Sequence, residues 1–187
     1  MRPDKSFLLV LAGLAAALSL APSAAAAIAP SAAKPTRTSA HGLAFLKNEE
    51  GFSAKAFPDG KTLTGKQLYS IGYGHQLVSG DGLTPSSVIT PAQGEALLAQ
   101  DVQSREQAIA DSVRVPINQN QYDALVSFGY NIGIAGFKSS EVVKRLNAGD
   151  YAGAADVWTK YWTKSEGVTH PVLVARRQRE AALFRSA

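Results

Sequence analysis

Two carboxylates and a hydroxyl in the first half of the chain have the types and spacing for acid–base chemistry. Glu50 ends an apolar-patterned run, Leu43 to Glu50. On a helical wheel Leu43 and Leu46 flank it, while Glu49 points about 90° away. A carboxyl on the apolar side of a helix is desolvated, which raises its pKa and preserves the proton that a general acid needs. A glutamate at a helix end also suits a side chain bent out to water, and periodicity alone leaves both readings open. Asp59 follows nine residues later in Pro58-Asp59-Gly60, where turn formation is its simplest role. Beside Glu50 it gains a second one. A protonated acid and an ionised base in unlike environments suit hydrolysis of a glycosidic bond. Ser70 is placed to hold a water against Asp59, with an ordinary exposed strand serine as the alternative.

The elements that must position these groups are legible in outline. Leu43–Glu50 reads as a short helix. A strand near Ala54–Phe57 and another at Tyr69–Tyr73 flank the Pro58-Asp59-Gly60 turn. In the second strand Tyr69, Ile71 and Tyr73 share one face, and Ser70, Gly72 and Gly74 the other, open enough for a bulky ligand to approach. Thr90-Pro91-x-Gln93 is a helix start with a capping box, opening a helix to about Ala110 with Leu98, Val102 and Ile109 on one stripe. Asn118 caps a second helix carrying Tyr122, Leu125, Val126 and Gly129 at i, i+3, i+4, i+7. Gly133 and Gly136 interrupt it, Ser139/Ser140 begin a third, and Asn147-Ala148-Gly149 stop that one. Helices near Tyr151–Trp162 and Val172–Arg185 complete an α+β chain, mostly helical, with a small β-hairpin lobe and a larger helical lobe flanking a cleft.

The 187 residues suffice for one domain with a short appendage, and 45% hydrophobic with 18% charged residues fits a globular protein. With no cysteine, disulfide scaffolds, thiolate metal sites and cysteine nucleophiles are excluded. His41, His75 and His170 lie too far apart for metal-ligand spacing, so neither metal nor cofactor is expected. A net charge of +4 suits a polyanionic partner without requiring one. Arg2 and Lys5 precede the apolar run Phe7–Leu20, and small residues follow Pro22, the layout of a signal peptide over 1–27, with a signal-anchor as the alternative. Residues 28–41, rich in Pro, Ala, Ser and Thr, read as a linker, leaving 42–187 as the folded domain. The expected location is the periplasm or the exterior, with tethering at the inner membrane before release as the variant in which the leader is retained.

Several blocks together carry a resemblance. Leu46-Lys47-Asn48-Glu49-Glu50-Gly51, Ala56-Phe57-Pro58-Asp59 and Tyr69-Ser70-Ile71-Gly72-Tyr73-Gly74-His75 resemble the signature of the phage-type lysozymes, glycoside hydrolase family 24. The stretch from Gln119 to Phe128 with Asn131-Ile132-Gly133, then Phe137-Lys138-Ser139-Ser140, Leu146 to Asp150, and Arg176-Arg177-Gln178-Arg179-Glu180 are similar to later blocks of that family in the same order. The resemblance implies catalytic roles for Glu50, Asp59 and Ser70, the last standing where the family has threonine. Serine keeps the hydroxyl but loses the methyl that restricts its rotamer. The eleven residues from Asp59 to Ser70 exceed the spacing of the simplest members, which predicts a longer hairpin tip within Lys61–Leu68. Phe57 replaces a common tyrosine. Tyr73, His75, Phe128 and Ser140 fall on positions implied to contact substrate or support the site, His75 chiefly as a buttress.

The implied activity is that of an endolysin or muramidase, hydrolysing the β-1,4 bond between N-acetylmuramic acid and N-acetylglucosamine in peptidoglycan glycan strands. Glu50 would be the acid, and Asp59 with Ser70 would position water. Inversion follows, with the carboxyls about 6.5–9.5 Å apart. A lytic transglycosylase acting on the same bond and a non-catalytic wall-binding module are the rival readings. The chain is expected to be a monomer, and no nucleic-acid partner is expected, since no base-reading motif accompanies the basic charge. Trp158, Tyr161 and Trp162 at helical spacing are expected in the core, with a sugar-stacking platform as the alternative. Arg176, Arg177, Arg179 and Arg185 are expected on a solvated helix face.

Overall fold

The computed structural model describes residues 34–186 apart from residue 166. The expected leader, 1–27, and residues 28–33 of the expected linker lie outside the described residues. Helix α1, Ala40–Glu50, opens on Ser39, whose Oγ accepts from the Gly42 amide, and closes on Gly51 at φ 68°. Glycine adopts that left-handed conformation at little cost, so the chain turns away immediately after Glu50.

Three antiparallel strands follow in spatial order: β1 (Ser53–Lys61), β2 (Gln67–Gly72) and β3 (His75–Gln76). The turn expected at Pro58-Asp59-Gly60 is absent. β1 runs through all three residues, and the chain reverses over 62–66, where the Gly65 amide donates to the Thr62 carbonyl. β1 lies at the sheet edge, and its register with β2 slips between Pro58 and Lys61, so a residue without an N–H is tolerated there. The surplus residues lengthen the hairpin, and Asp59 is carried on a strand.

The helical lobe follows its caps closely. Thr90 and Gln93 form the expected capping box at the start of α2, Pro91–Ser112, and Asn118 and Gln121 form another at α3, Gln119–Ser139. Gly133, at φ 78° and ψ 160°, kinks α3 where the sequence placed a break. Ser140 caps α4, Glu141–Asn147, through the Val143 amide, and Asp150 caps α5, Tyr151–Trp158. A two-stranded ribbon, β4 (Lys164–Ser165) and β5 (Val168–Thr169), leads into α6, Pro171–Arg185. Helix α3 packs against α1, α2 and α6. At the centre, Phe128 meets Phe137, Trp158 meets Phe128, and Phe184 meets Trp158, with ring centroids 6.4, 4.9 and 5.2 Å apart. Each such ring, fully buried, contributes roughly 4 kcal/mol of transfer free energy as an upper figure. The α+β, mostly helical reading holds.

Three expectations change. The domain begins before Gly42: Thr38 donates through its amide and hydroxyl to Glu106, and Ser39 does the same to Asp123. Residues 34–41 of the expected linker are thus part of the folded unit, because two buried carboxylates need those donors. Second, α5 stops at Trp158, four residues early. Trp162 takes φ 59°, and it stands 46% exposed with Tyr161 at 54%, so only Trp158 joins the core. Third, Arg176 and Arg177 are buried, because acidic partners lie beneath them, while Arg179 and Arg185 remain at the surface.

Candidate active site

The end of α1, the β1–β2 hairpin and the Gly72–Gly74 turn enclose a cleft of about 390 Å³. Glu50, Phe52, Phe57, Asp59, Gly72 and Gly74 line it. Glu50 enters because Gly51 ends α1 directly behind it, leaving the carboxyl over the Gly72–Gly74 turn. An added Cβ at Gly74 would lie 3.7 Å from Glu50 Oε2, so the turn backbone forms the floor beneath this carboxyl. The α1 segment around it is anchored by Leu46, which is fully buried.

The Glu50 side chain is 17% exposed, and its Oε1 accepts from Arg176 Nη2 at 2.7 Å. Burial pushes its pKa up; the adjacent Arg176 guanidinium pulls it down through charge and hydrogen bond, and Glu180 and Glu49 push it up again. The net direction is upward, the direction a proton donor requires. Glu49, adjacent in sequence, points elsewhere and forms a two-pronged pair with Arg179, at 2.6 and 2.8 Å. The predicted separation of the two glutamates on the α1 wheel is therefore realised as two different arginine partners, one turn apart on α6.

Asp59 sits on the exposed edge strand and faces the same cleft. Its Oδ2 accepts from the Ser70 hydroxyl at 2.6 Å. Ser70 lies opposite Phe57 in the β1–β2 register and is completely buried. The expectation of a serine on an open face holding a water is corrected here: the hydroxyl has no exposure and grips the Asp59 carboxylate directly. One oxygen of Asp59 is thereby fixed, on a residue that lines the cleft.

The remaining expected contacts do not line this cleft. Phe128 is fully buried in the aromatic core beneath the Arg177 guanidinium, 5.0 Å from its ring centre, so it supports the lobe and cannot touch a ligand there. Ser140 caps α4 and borders a separate cavity of about 240 Å³ with Tyr161 and Trp162. His75 is held between two carboxylates, Nδ1 at 3.0 Å from Asp101 and Nε2 at 3.5 Å from Asp81. Tyr73 backs the cleft wall through Phe52, their rings 5.3 Å apart, and its carbonyl accepts from Tyr130 Oη at 3.0 Å. Sequence reading missed Phe52 and Phe57 as lining residues and Arg176 as the partner of Glu50. The Arg176–Glu180 spacing of i, i+4 was a visible signal of a helix pair; its link to Glu50, 126 residues away, had none. Among the described residues no cluster of three or more His, Cys, Asp or Glu is arranged to hold a metal ion.

The sequence model of the family described as phage lysozyme matches residues 47–180, which contain Glu50, Asp59, Ser70, Arg176 and Glu180. The chain belongs to the phage lysozyme family. It is 42% identical over 149 residues to the endolysin of Salmonella phage P22, covering 79% of this chain and 97% of that one. It is also 41% identical over 145 residues to the endolysin of Bacillus phage PZA, covering 78% of this chain and 54% of that protein. The chain therefore spans about half the length of the Bacillus phage endolysins it matches. Among solved structures, the muramidase domain of SpmX from Asticaccaulis excentricus superposes with a TM-score of 0.69 at 33% identity, covering 81% of this chain and 99% of that domain. Membership in the lysozyme family thus rests on sequence and on fold together.

Proposed function

We propose that the protein is an endolysin-type muramidase that hydrolyses the β-1,4 bond between N-acetylmuramic acid and N-acetylglucosamine in peptidoglycan glycan strands, with inversion. The observation that carries this reading is the pairing, in one cleft, of a partly buried carboxyl pushed toward its protonated form with an exposed carboxylate gripped by a buried hydroxyl. Glu50 gives its proton to the glycosidic oxygen as the C1–O bond breaks. Water attacks C1 from the opposite face and passes a proton to Asp59, whose orientation Ser70 fixes. Glu50 is left as a carboxylate that Arg176 is already placed to stabilise, an interaction strongest after proton transfer. Solvent then returns the proton to Glu50 and removes the one on Asp59.

Digestion of purified peptidoglycan followed by muropeptide analysis tests this, with Glu50→Gln and Asp59→Asn in parallel. Reducing muramic ends from the native protein, with at least a thousandfold loss in Glu50→Gln, are expected. The α-anomer should appear first by NMR. Anhydro ends would assign the protein to the lytic transglycosylases, and binding to the wall without any release would make it a wall-binding module. The proposed site of action is the periplasmic face of the wall, reached through the leader in residues 1–27. Fractionation of expressing cells decides between a soluble shortened form and a membrane-held one.

A further inference from the structure

Arg176 uses its guanidinium as a bridge between two carboxylates. Nη2 donates to Glu50 Oε1 at 2.7 Å, and Nε donates to Glu180 Oε1 at 3.0 Å. Glu180 stands one turn along α6 and is completely buried. A carboxylate there is costly without partners, and this one has four. Ser127 Oγ donates to Oε1 at 2.7 Å and Trp158 Nε1 to Oε2 at 3.0 Å; Arg177 Nη1 lies 3.1 Å from Oε2, and Arg176 completes the set. No proton transfer in the proposed reaction passes through Glu180, yet the fold spends a buried charge on it.

We propose that Glu180 is a positioning residue for proton donation: from the buried end of Arg176 it aims that guanidinium at Glu50 and offsets its charge. This rests on the reading of Glu50 as the general acid. Aiming follows from geometry, since a planar guanidinium held at Nε by an acceptor on its own helix has its plane fixed, and with it the place of Nη2, from which an N–H reaches Glu50. The offset follows from a charge count. With Glu50 protonated, the buried cluster holds two cations, Arg176 and Arg177, and one anion, Glu180, a net charge of +1. Without Glu180 the same cluster is +2 beside a carboxyl whose ionised form would neutralise part of it. Glu50 would then lose its proton more readily, at the expense of its function as an acid.

Other groups around Glu50 do not substitute for this anion. Glu49 on α1 is matched by Arg179 on α6, and Tyr130 on α3 is a phenol that burial holds above its ordinary range, hence neutral. Asp59 on β1 stands on the exposed side of the cleft, and His75, beyond Gly74, is engaged by Asp101 and Asp81. Burial and Glu180 act on Glu50 in the same direction, against Arg176.

The test is the pH dependence of kcat on purified peptidoglycan for the full chain carrying Glu180→Gln, Glu180→Asp or Trp158→Phe, with thermal melts alongside. The alkaline limb of kcat should move to lower pH in Glu180→Gln, so that kcat above the limb falls roughly three- to tenfold, while KM stays unchanged. Glu180→Asp keeps the charge one methylene further from Arg176 and should lie between Gln and wild type. Trp158→Phe removes a donor to Glu180 but no charge; it should lower the melting temperature and leave the limb in place. A folded Glu180→Gln with the wild-type limb overturns the proposal, as does an equal displacement in Trp158→Phe. Should Glu180→Gln fail to fold, a wild-type limb in Glu180→Asp overturns it. A wild-type protein that releases no reducing ends would instead overturn the muramidase reading itself.

Discussion

The hydroxyl of Ser70, with no solvent exposure, donates to Oδ2 of Asp59 across 2.6 Å and ties the second strand of the hairpin to the first at the edge of the cleft. This bond lets a strand carboxylate on an exposed edge behave as a fixed group. An unrestrained aspartate at such a position samples several rotamers, and only some direct an oxygen at an attacking water. In the proposed reaction the serine therefore acts through Asp59 and not on the water itself.

Removing that hydroxyl should slow the reaction without weakening binding. Ser70→Ala is expected to lower kcat by roughly tenfold or more with KM little changed, because Ser70 is out of reach of any ligand. Ser70→Thr keeps the donor and adds χ1 restriction, so it should retain most of the activity. Steady-state kinetics on a soluble glycan substrate would decide, and a Ser70→Ala protein with wild-type kcat would show that Asp59 needs no such restraint.

Glu50 links activity to stability with opposite signs. Its folded-state pKa is raised above the unfolded value, chiefly by burial. Such a group contributes most below its unfolded pKa, and the contribution is lost as pH rises through the folded one. Activity falls through the same range, because the acid form disappears. Glu50→Gln should thus be inactive, yet at pH 8 melt higher than wild type by up to about 4 °C, the shift that 1 kcal/mol produces at this size. The difference should vanish by about pH 3, more than a unit below the ordinary glutamate value, where Glu50 is protonated in both folded and unfolded chains. Calorimetry at the two pH values measures it; a Glu50→Gln protein melting lower at pH 8 would mean that the Arg176 pair outweighs burial.

What could be read from sequence was what is decided locally. The capping box at Thr90, the cap at Asn118, the stop at Gly149 and the kink at Gly133 each depend on a few neighbouring residues, and all appear where expected. The extension of β1 through Pro58-Asp59-Gly60 was hidden, because turn chemistry in those residues is outweighed by an edge position that no local signal reports. The burial of Arg176 and Arg177 was hidden for a related reason. A helix with four arginines reads as solvated until tertiary packing buries Glu180 beneath Arg176 and Arg177 and brings Glu50, 126 residues away, to meet Arg176. Glu50 and Asp59 were legible as a pair through their types and spacing. The state of Ser70 depended on strand register, which slips twice in this hairpin.

The Gly72–Gly74 turn supports Glu50 by backbone shape. Gly74 has φ 86°, where any other residue is strained, while a Cβ there would make only ordinary contact with Glu50 Oε2 and Tyr130. Gly74→Ala should therefore cost about 1–2 kcal/mol, mostly backbone strain. Urea denaturation would show this as a lower midpoint with an unchanged slope. An unchanged midpoint with lost activity would point instead to crowding of the Glu50 carboxyl.

The segment before α1 makes the last case, since it lies in a stretch that composition assigned to a linker. Thr38 and Ser39 supply four donors to Glu106 and Asp123, and Ser39 also caps the helix that ends in Glu50. Asp123 is almost wholly buried, and the Gly42 backbone lies so close to it that no side chain fits between them. A protein starting at Gly42 would leave both carboxylates short of partners in place and α1 uncapped. Relative to one starting at Lys34 it should lose about 3 kcal/mol or more. Because α1 would fray from the end opposite Glu50, kcat should fall less steeply than stability. Denaturation of the 34–187 and 42–187 proteins compares them directly, and equal midpoints would return residues 34–41 to the status of a linker.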